Sequence, residues 1–184
     1  MAASDNNPSP EPPPVRIRCL SAEEMHERLE EEINRAGRHE TPLSCLLVTI
    51  GNLEELAREH GSELSQETLA YVARTLAAQV RGFDRVGRPG EGELMLILPG
   101  ADGQRGEVVA RRALERLRTI KVEVDGARRP LRISVGLAAW HEELGAEELL
   151  EQARLAARRG NGAETAAGMP GSSPPVLGRP HGPA

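Results

Sequence analysis

An uninterrupted stretch of β-forming residues at 43–50 constrains the fold of this chain more than any other feature. It reads Leu-Ser-Cys-Leu-Leu-Val-Thr-Ile, so apolar side chains occur in both alternating sets. A strand that presents apolar residues to both sides has to be covered on both faces. The sequence therefore predicts a central strand over 43–50, buried on both faces of its sheet.

Helical and strand patterns surround this stretch. Ser21 and Glu24 have the spacing of a capping box, so a helix is expected to begin there and to end at Gly37. Asn52 is expected to cap a short helix that ends at Gly61. Further elements are expected as a helix at 64–80, a hairpin with strands at 84–88 and 93–98, a helix at 103–118, a strand pair at 120–124 and 131–137, and a helix at 146–159. This order predicts an α/β fold, a ferredoxin-like βαββαβ sandwich with an antiparallel central sheet.

The distribution of proline sets the expected domain limits. Ten of the 14 prolines lie within residues 1–14 and 163–184. Such segments bury too little apolar surface to offset the entropy lost on ordering. We therefore predict one domain at 15–162, flanked by two disordered tails, and the hydrophobic content of 39% is adequate for one core.

Charge and composition argue against several classes of function. With a net charge of −5 and 2% aromatic residues, the chain lacks the features of a nucleic-acid or membrane-surface binder. No apolar run approaches the ~18 residues of a membrane span, and the polar start does not resemble a secretory signal. Cys19 and Cys45 are expected to be reduced thiols, which favours a cytoplasmic location.

The predicted hairpin carries a resemblance to a known family. Residues 84–99 read Asp-Arg-Val-Gly-Arg-Pro-Gly-Glu-Gly-Glu-Leu-Met-Leu-Ile-Leu-Pro, which resembles the signature hairpin of GGDEF domains, the diguanylate cyclase family. Residues 133–138, Ile-Ser-Val-Gly-Leu-Ala, are similar to a later strand of that family. The chain is identified as a degenerate member, which implies the GGDEF fold and a role in cyclic di-GMP signalling.

The positions that the resemblance assigns to metal binding depart from the family pattern. The signature corresponds to Gly90, Glu91, Gly92, Glu93 and Leu94. Family cyclases use two divalent metals, and the resemblance implies ligands at Thr49 and Gly92. Neither residue offers the carboxylate that Mg²⁺ prefers. The sequence therefore predicts no metal and no other cofactor.

The positions that the resemblance assigns to the nucleotide also depart from the pattern. Ala57 and Gln66 stand where the family recognises guanine, and Glu54 reverses the charge of a phosphate-binding lysine. Arg158 can still supply positive charge at a later lysine position. Together with the metal positions, these changes predict that the protein is not an enzyme.

One set of family residues is retained. Arg81 and Asp84 match the Arg-x-x-Asp pattern that binds cyclic di-GMP in many members, and Arg112 matches a further arginine of that site. The leading hypothesis is a catalytically inactive domain that acts by binding, either as a cyclic di-GMP receptor at this site or in regulation through a protein partner. A local Arg81–Asp84 salt bridge, or a remnant of an active ancestor, would explain the same residues without a ligand. The alternatives are a nucleotide-independent module that binds a protein partner and a residually active cyclase that uses Glu91 and Glu93.

Overall fold

The computed structural model describes residues 18–80 and 85–160. The elements in chain order are α1 (Ala22–His39), β1 (Leu43–Ile50), α2 (Leu53–His60), α3 (Ser62–Ala77), β2 (Arg85–Gly87), β3 (Glu93–Pro99), α4 (Gly103–Leu117), β4 (Lys121–Val124), β5 (Ala127–Pro130), β6 (Ile133–Ala139) and α5 (Ala146–Gly160). The predicted domain limits at 15 and 162 and both tails lie outside the described residues and stay predictions. None of the helices within the described ranges is long and apolar enough to cross a bilayer.

Four of the strands form one antiparallel sheet in the order β2-β3-β1-β6. The predicted central strand β1 has the predicted bounds, and its Thr49 lies opposite Glu93 of β3 and Ser134 of β6. This arrangement is the ferredoxin-like order, so the predicted fold class is confirmed.

Each face of the sheet is covered by its own set of helices. Leu46 and Val48 of β1 lie in a core shared with α2, α3 and α4. Cys45, a free thiol, and Leu47 lie in a second core with α1 and α5. Successive side chains of a strand point to opposite faces, so one strand supplies both cores. The predicted burial of β1 on both sides is therefore confirmed.

Helix α5 lies against the backbone of β6. A Cβ atom added at Gly136 would lie 2.1 Å from the carbonyl oxygen of Ala153 and 2.3 Å from the amide nitrogen of Ala157. Both alanines are buried. The absent side chain of Gly136 thus allows a close helix–strand contact, which fixes the position of α5 over the sheet.

Helix α1 begins as predicted and ends later than predicted. The Ser21 hydroxyl accepts a hydrogen bond from the Glu24 amide, and the Glu24 side chain accepts one from the Ser21 amide. The helix continues past Gly37, whose position faces the ring of Trp140, and ends at His39, followed by the C-cap residue Glu40 in the left-handed conformation. A glycine inside a helix costs only about 1 kcal/mol, so tertiary packing overrides the expected stop at Gly37.

Asn52 stands at the N-cap position of α2 as predicted, but the expected cap by its side chain is wrong. Its side chain makes no capping hydrogen bond to α2. Instead, the Asn52 Nδ2 atom donates to the carbonyl oxygen of Pro130, and its Oδ1 atom accepts from the amide of Arg132. Asn52 therefore fastens the end of β1 to the connection between β5 and β6.

The predicted pairing of 120–124 with 131–137 is also wrong. Asp125 and Gly126 both have positive φ angles, of 51° and 75°. Such residues form a two-residue hairpin turn, which pairs β4 directly with β5, Val124 opposite Ala127. Strand β6 is left free to join β1 in the main sheet.

Candidate functional site

A polar cleft of about 380 Å³ lies where β1 and β3 face helix α5. Thr49 comes from β1, and Glu93 opens β3 directly opposite it. Glu151, Arg154 and Arg158 come from α5 and project from one side of that helix, because three, four and seven residues separate them. The cleft therefore combines one hydroxyl, two carboxylates and two guanidinium groups.

A bidentate ion pair between Glu93 and Arg154 lies in the cleft. The Arg154 Nη2 atom donates to Glu93 Oε2 at 2.8 Å, and its Nε atom donates to Glu93 Oε1 at 3.0 Å. The Glu93 side chain is 17% exposed and that of Arg154 is 29% exposed. The hydrogen bonds to Glu93 raise the pKa of Arg154 above its ordinary value. Bidentate pairs of this kind hold both partners in a fixed orientation.

A second ion pair lies beside the first. The Arg158 Nη2 atom donates to Glu151 Oε1 at 2.8 Å. The other carboxylate oxygen of Glu151 lies 3.6 Å from Arg154 Nη1. The four charges of the cleft thus neutralise one another in pairs.

The turn that leads into β3 depends on its glycines. Gly92 has a φ of 67°, in the left-handed region that favours glycine. A Cβ atom at Gly90 would lie 2.5 Å from Glu93 Oε2, so the Glu93 carboxylate folds back over Gly90. Glu91 is exposed on this turn, and Leu94 is buried. The backbone conformation therefore gives a local reason for glycine at position 92.

The donors in the cleft do not fit, in this arrangement, the magnesium ions that the resemblance implies. Within residues 18–80 and 85–160, no three His, Cys, Asp or Glu side chains are grouped to hold a metal ion. The Glu93 and Glu151 carboxylates are both engaged by arginines. The remaining oxygen donor at the cleft, the Thr49 hydroxyl, is neutral.

The structure brings together only some of the residues that the resemblance assigned to metal and nucleotide binding. Thr49, Glu93 and Arg158 line the cleft. The other nucleotide positions are not among its lining residues: Glu54 and Ala57 lie on α2 and Gln66 on α3, with Glu54 and Gln66 exposed.

The predicted cyclic di-GMP site is described in part. Arg112 lies on α4 and its side chain is exposed. Arg81 and Asp84 follow α3 in the sequence and lie outside the described residues. The three residues therefore remain a predicted site.

Sequence reasoning missed Arg154 and Glu151. The signal available was the spacing of Glu151, Arg154 and Arg158, which places one carboxylate and two guanidinium groups on one side of a helix. That spacing does not reveal the partner Glu93, which is 61 residues away in the chain. The ion pair between Glu93 and Arg154 depends on how α5 packs against the sheet.

Comparison with known proteins gives a consistent result over most of the chain. The family model described as "Diguanylate cyclase, GGDEF domain" matches residues 21–164. The protein named "Diguanylate cyclase DosC" of Escherichia coli K12 is 29% identical over 136 residues, which are 71% of this chain and 30% of DosC. The chain spans about a third of the length of such curated relatives.

Solved structures agree with the sequence matches. Diguanylate cyclase SiaD of Pseudomonas aeruginosa, solved in complex with its activator SiaC, is 25% identical with a TM-score of 0.69, and 76% of this chain and 55% of SiaD are covered. The GGDEF domain of Caulobacter crescentus DgcB, solved in complex with c-di-GMP, is 13% identical with a TM-score of 0.70, and 78% of this chain and 83% of that domain are covered.

These comparisons correct one prediction. The changes at Thr49 and Gly92 led to the expectation that the protein is not an enzyme, whereas the curated relatives over the same region are named as enzymes, diguanylate cyclases. The family model covers more than three quarters of the sequence, which is enough to assign the family. The chain belongs to the GGDEF domain family of the diguanylate cyclases.

Proposed function

We propose that this domain acts in cyclic di-GMP signalling and binds cyclic di-GMP through Arg81, Asp84 and Arg112. The observation that carries the proposal is family membership together with the exposed position of Arg112 on α4. Helices α3 and α4 cover the same face of the sheet, and residues 81–84 come shortly after α3. The related fold of DgcB was solved with c-di-GMP, which supports this ligand for a GGDEF domain.

The three side chains have the chemistry that a guanine dinucleotide requires. A guanidinium group such as that of Arg81 can donate two hydrogen bonds to the N7 and O6 acceptors of guanine. A carboxylate such as that of Asp84 can accept hydrogen bonds from the N1 and N2 groups of guanine. Arg112 supplies a second guanidinium group, which suits the phosphate.

Calorimetry with cyclic di-GMP tests the proposal directly. The wild-type chain is expected to bind the dinucleotide, and Arg112→Ala should weaken binding by about 10- to 100-fold, because a charge-assisted hydrogen bond is lost. The Arg81→Ala and Asp84→Ala variants should show losses of similar size. The measurement is the dissociation constant of each variant.

Arg111 offers a matched control, because it is an exposed arginine next to Arg112 on the same helix. The Arg111→Ala variant should keep the wild-type affinity within about twofold, since consecutive residues of a helix point in different directions and an exposed charge outside the site contributes little. Equal weakening in Arg111→Ala and Arg112→Ala would refute a specific site. No binding heat from the wild type would instead favour a nucleotide-independent interaction module with a protein partner, the class of contact seen between SiaD and its activator SiaC.

A second candidate function is diguanylate cyclase activity at the cleft of Thr49, Glu93 and α5. The names of the curated relatives favour it, and Glu93 supplies a carboxylate in the cleft. The exposed Glu91 lies on the same turn and is not among the residues that line the cleft. Activity at this site would therefore depend on Glu93 and not on Glu91.

Incubation with GTP and either Mg²⁺ or Mn²⁺, followed by chromatography for cyclic di-GMP, examines this candidate. Product formed by the wild type should fall by about 100-fold or more in Glu93→Gln, because a charged group in the cleft is removed. Product formation by Glu91→Gln should stay close to that of the wild type. Product that persists in Glu93→Gln would rule out the cleft as its source.

A further inference from the structure

The hairpin of β4 and β5 has an open strand edge. Among the strands that the structure describes, β4 and β5 pair only with each other. Their turn at 125–126 has two residues, so Val124 and Ala127 form the first hydrogen-bonded pair of the ladder. Hydrogen-bonded and non-hydrogen-bonded pairs alternate in an antiparallel ladder. The backbone N–H and C=O groups of Lys121 and Glu123 therefore point away from β5, toward the open edge of β4.

The strand partner of Lys121 supports this assignment. Lys121 lies opposite Pro130, which has no N–H group to donate. The carbonyl oxygen of Pro130 accepts a hydrogen bond from Asn52, outside the hairpin. Both observations are those expected of a non-hydrogen-bonded pair.

The open edge of β4 borders a groove of about 850 Å³. Five consecutive residues, 119–123, line the groove, and three of them belong to β4. Successive side chains of a strand point to opposite faces, so a groove lined by all of them follows the edge of the strand. Helix α3 contributes another wall, with Tyr71, which is 52% exposed, and Arg74 over its ring. An accessible edge of this kind can pair with a further strand.

The sequence of β4 is complementary to itself in the antiparallel direction. A two-fold rotation about Val122 places Lys121 opposite Glu123 of a second copy, and Ile120 opposite Val124. Lys121 is exposed, and Glu123 has only an exposed, distant ion pair with Arg128, at 4.0 Å. Opposite charges that face each other across two strands stabilise the pairing. The register that matches the charges also brings together the residues whose backbone groups point to the open edge.

We propose that the open edge of β4 is an interface for a second copy of this chain. Two hairpins joined at β4 form a four-stranded antiparallel sheet across a two-fold axis, so both copies use the same surface. Each facing pair of Lys121 and Glu123 exchanges two backbone hydrogen bonds. Because the strand is short, the contact belongs to the weak class of interfaces, with a dissociation constant of about 10–100 µM. This inference goes beyond cyclic di-GMP binding and requires no nucleotide.

Charge reversal within β4 tests the register. Sedimentation equilibrium of the full chain, without nucleotide, measures the dissociation constant of the dimer. Lys121→Glu alone and Glu123→Lys alone should each weaken self-association by about tenfold or more, because each places like charges opposite each other in both pairs. An equimolar mixture of the two variants should associate about as tightly as the wild type. The Lys121→Glu/Glu123→Lys double variant should do so as well, since opposite charges face each other again.

Arg159 provides a matched control for the change in net charge. It is exposed on α5 and is not among the residues that line the groove. The Arg159→Glu variant should self-associate within about twofold of the wild type. Circular dichroism verifies that every variant is folded.

Three results would overturn the proposed interface. These are a wild type that stays monomeric at about 500 µM, single reversals that leave association unchanged, and a mixture that associates no better than its components. None of them bears on dinucleotide binding at Arg112, so this proposal and the proposed function fail separately.

Discussion

Replacement of Gly136 by alanine is expected to lower the free energy of unfolding by about 3 kcal/mol or more. The added Cβ atom would overlap the carbonyl oxygen of Ala153 at 2.1 Å and the amide nitrogen of Ala157 at 2.3 Å. Both are backbone atoms of a helix, so α5 has to move as a whole. That movement would withdraw buried side chains such as Leu149 from the core. Urea unfolding followed by far-ultraviolet circular dichroism measures the loss.

Gly37 offers the matched control for this substitution. It lies within α1, and a Cβ atom there would make only an ordinary contact, 3.6 Å from the ring of Trp140. Alanine in a helix is more favourable than glycine by about 0.5–1 kcal/mol, so Gly37→Ala should stabilise the protein. The two Gly→Ala changes should therefore have opposite signs. A Gly136→Ala variant as stable as the wild type would contradict the close helix–strand contact.

Replacement of Arg28 by methionine is expected to lower the free energy of unfolding by about 3 kcal/mol. Glu32 is 3% exposed, and Arg28 donates a hydrogen bond to its Oε1 atom from one helical turn earlier. Glu32 also has a longer ion pair with Arg35, at 3.9 Å. Without Arg28, the buried carboxylate would lose its direct hydrogen bond from a guanidinium group, which is costly in a medium of low dielectric constant. Chemical denaturation at neutral pH measures the change.

Two further variants separate the cost of an unpaired charge from the value of the pair. The Arg28→Met/Glu32→Met double variant should recover most of the lost stability, because a buried pair and an apolar pair are often nearly equal. Arg35→Met should change stability by less than about 0.5 kcal/mol, since this side chain is 64% exposed. A double variant no more stable than Arg28→Met would show that packing, and not charge, explains the loss.

The features that follow local rules could be predicted from the sequence. The alternating apolar sets of residues 43–50 identified a two-sided strand with its bounds, because side-chain direction in a strand depends only on position. Ser21 and Glu24 identified the start of α1 for a similar reason, since a capping box involves residues three apart. The glycine turn before Glu93 gave the hairpin of β2 and β3.

The features that depend on distant partners could not be predicted in this way. Residues 131–137 were paired with the wrong strand. Asp125-Gly126 is typical of a two-residue turn, which pairs 121–124 with 127–130, but the pairing of β6 with β1 depends on the assembled sheet. Asn52 satisfied the local pattern of an N-cap, yet its side chain bonds to Pro130 and Arg132. The ion pair of Glu93 and Arg154 likewise depends on the packing of α5 against β6 at Gly136.

The central place of β1 has a consequence for how the chain acquires its structure. Both neighbours of this strand come later in the sequence: Leu47 lies opposite Met95 on one side and Gly136 on the other. During synthesis the most apolar strand therefore emerges well before either partner exists. Pairing over such long sequence separations slows folding. Until the partners are made, an apolar, aggregation-prone strand stays exposed. A nascent chain that is halted before β6 would present this strand with one open edge, where a chaperone or an unwanted neighbour could attach.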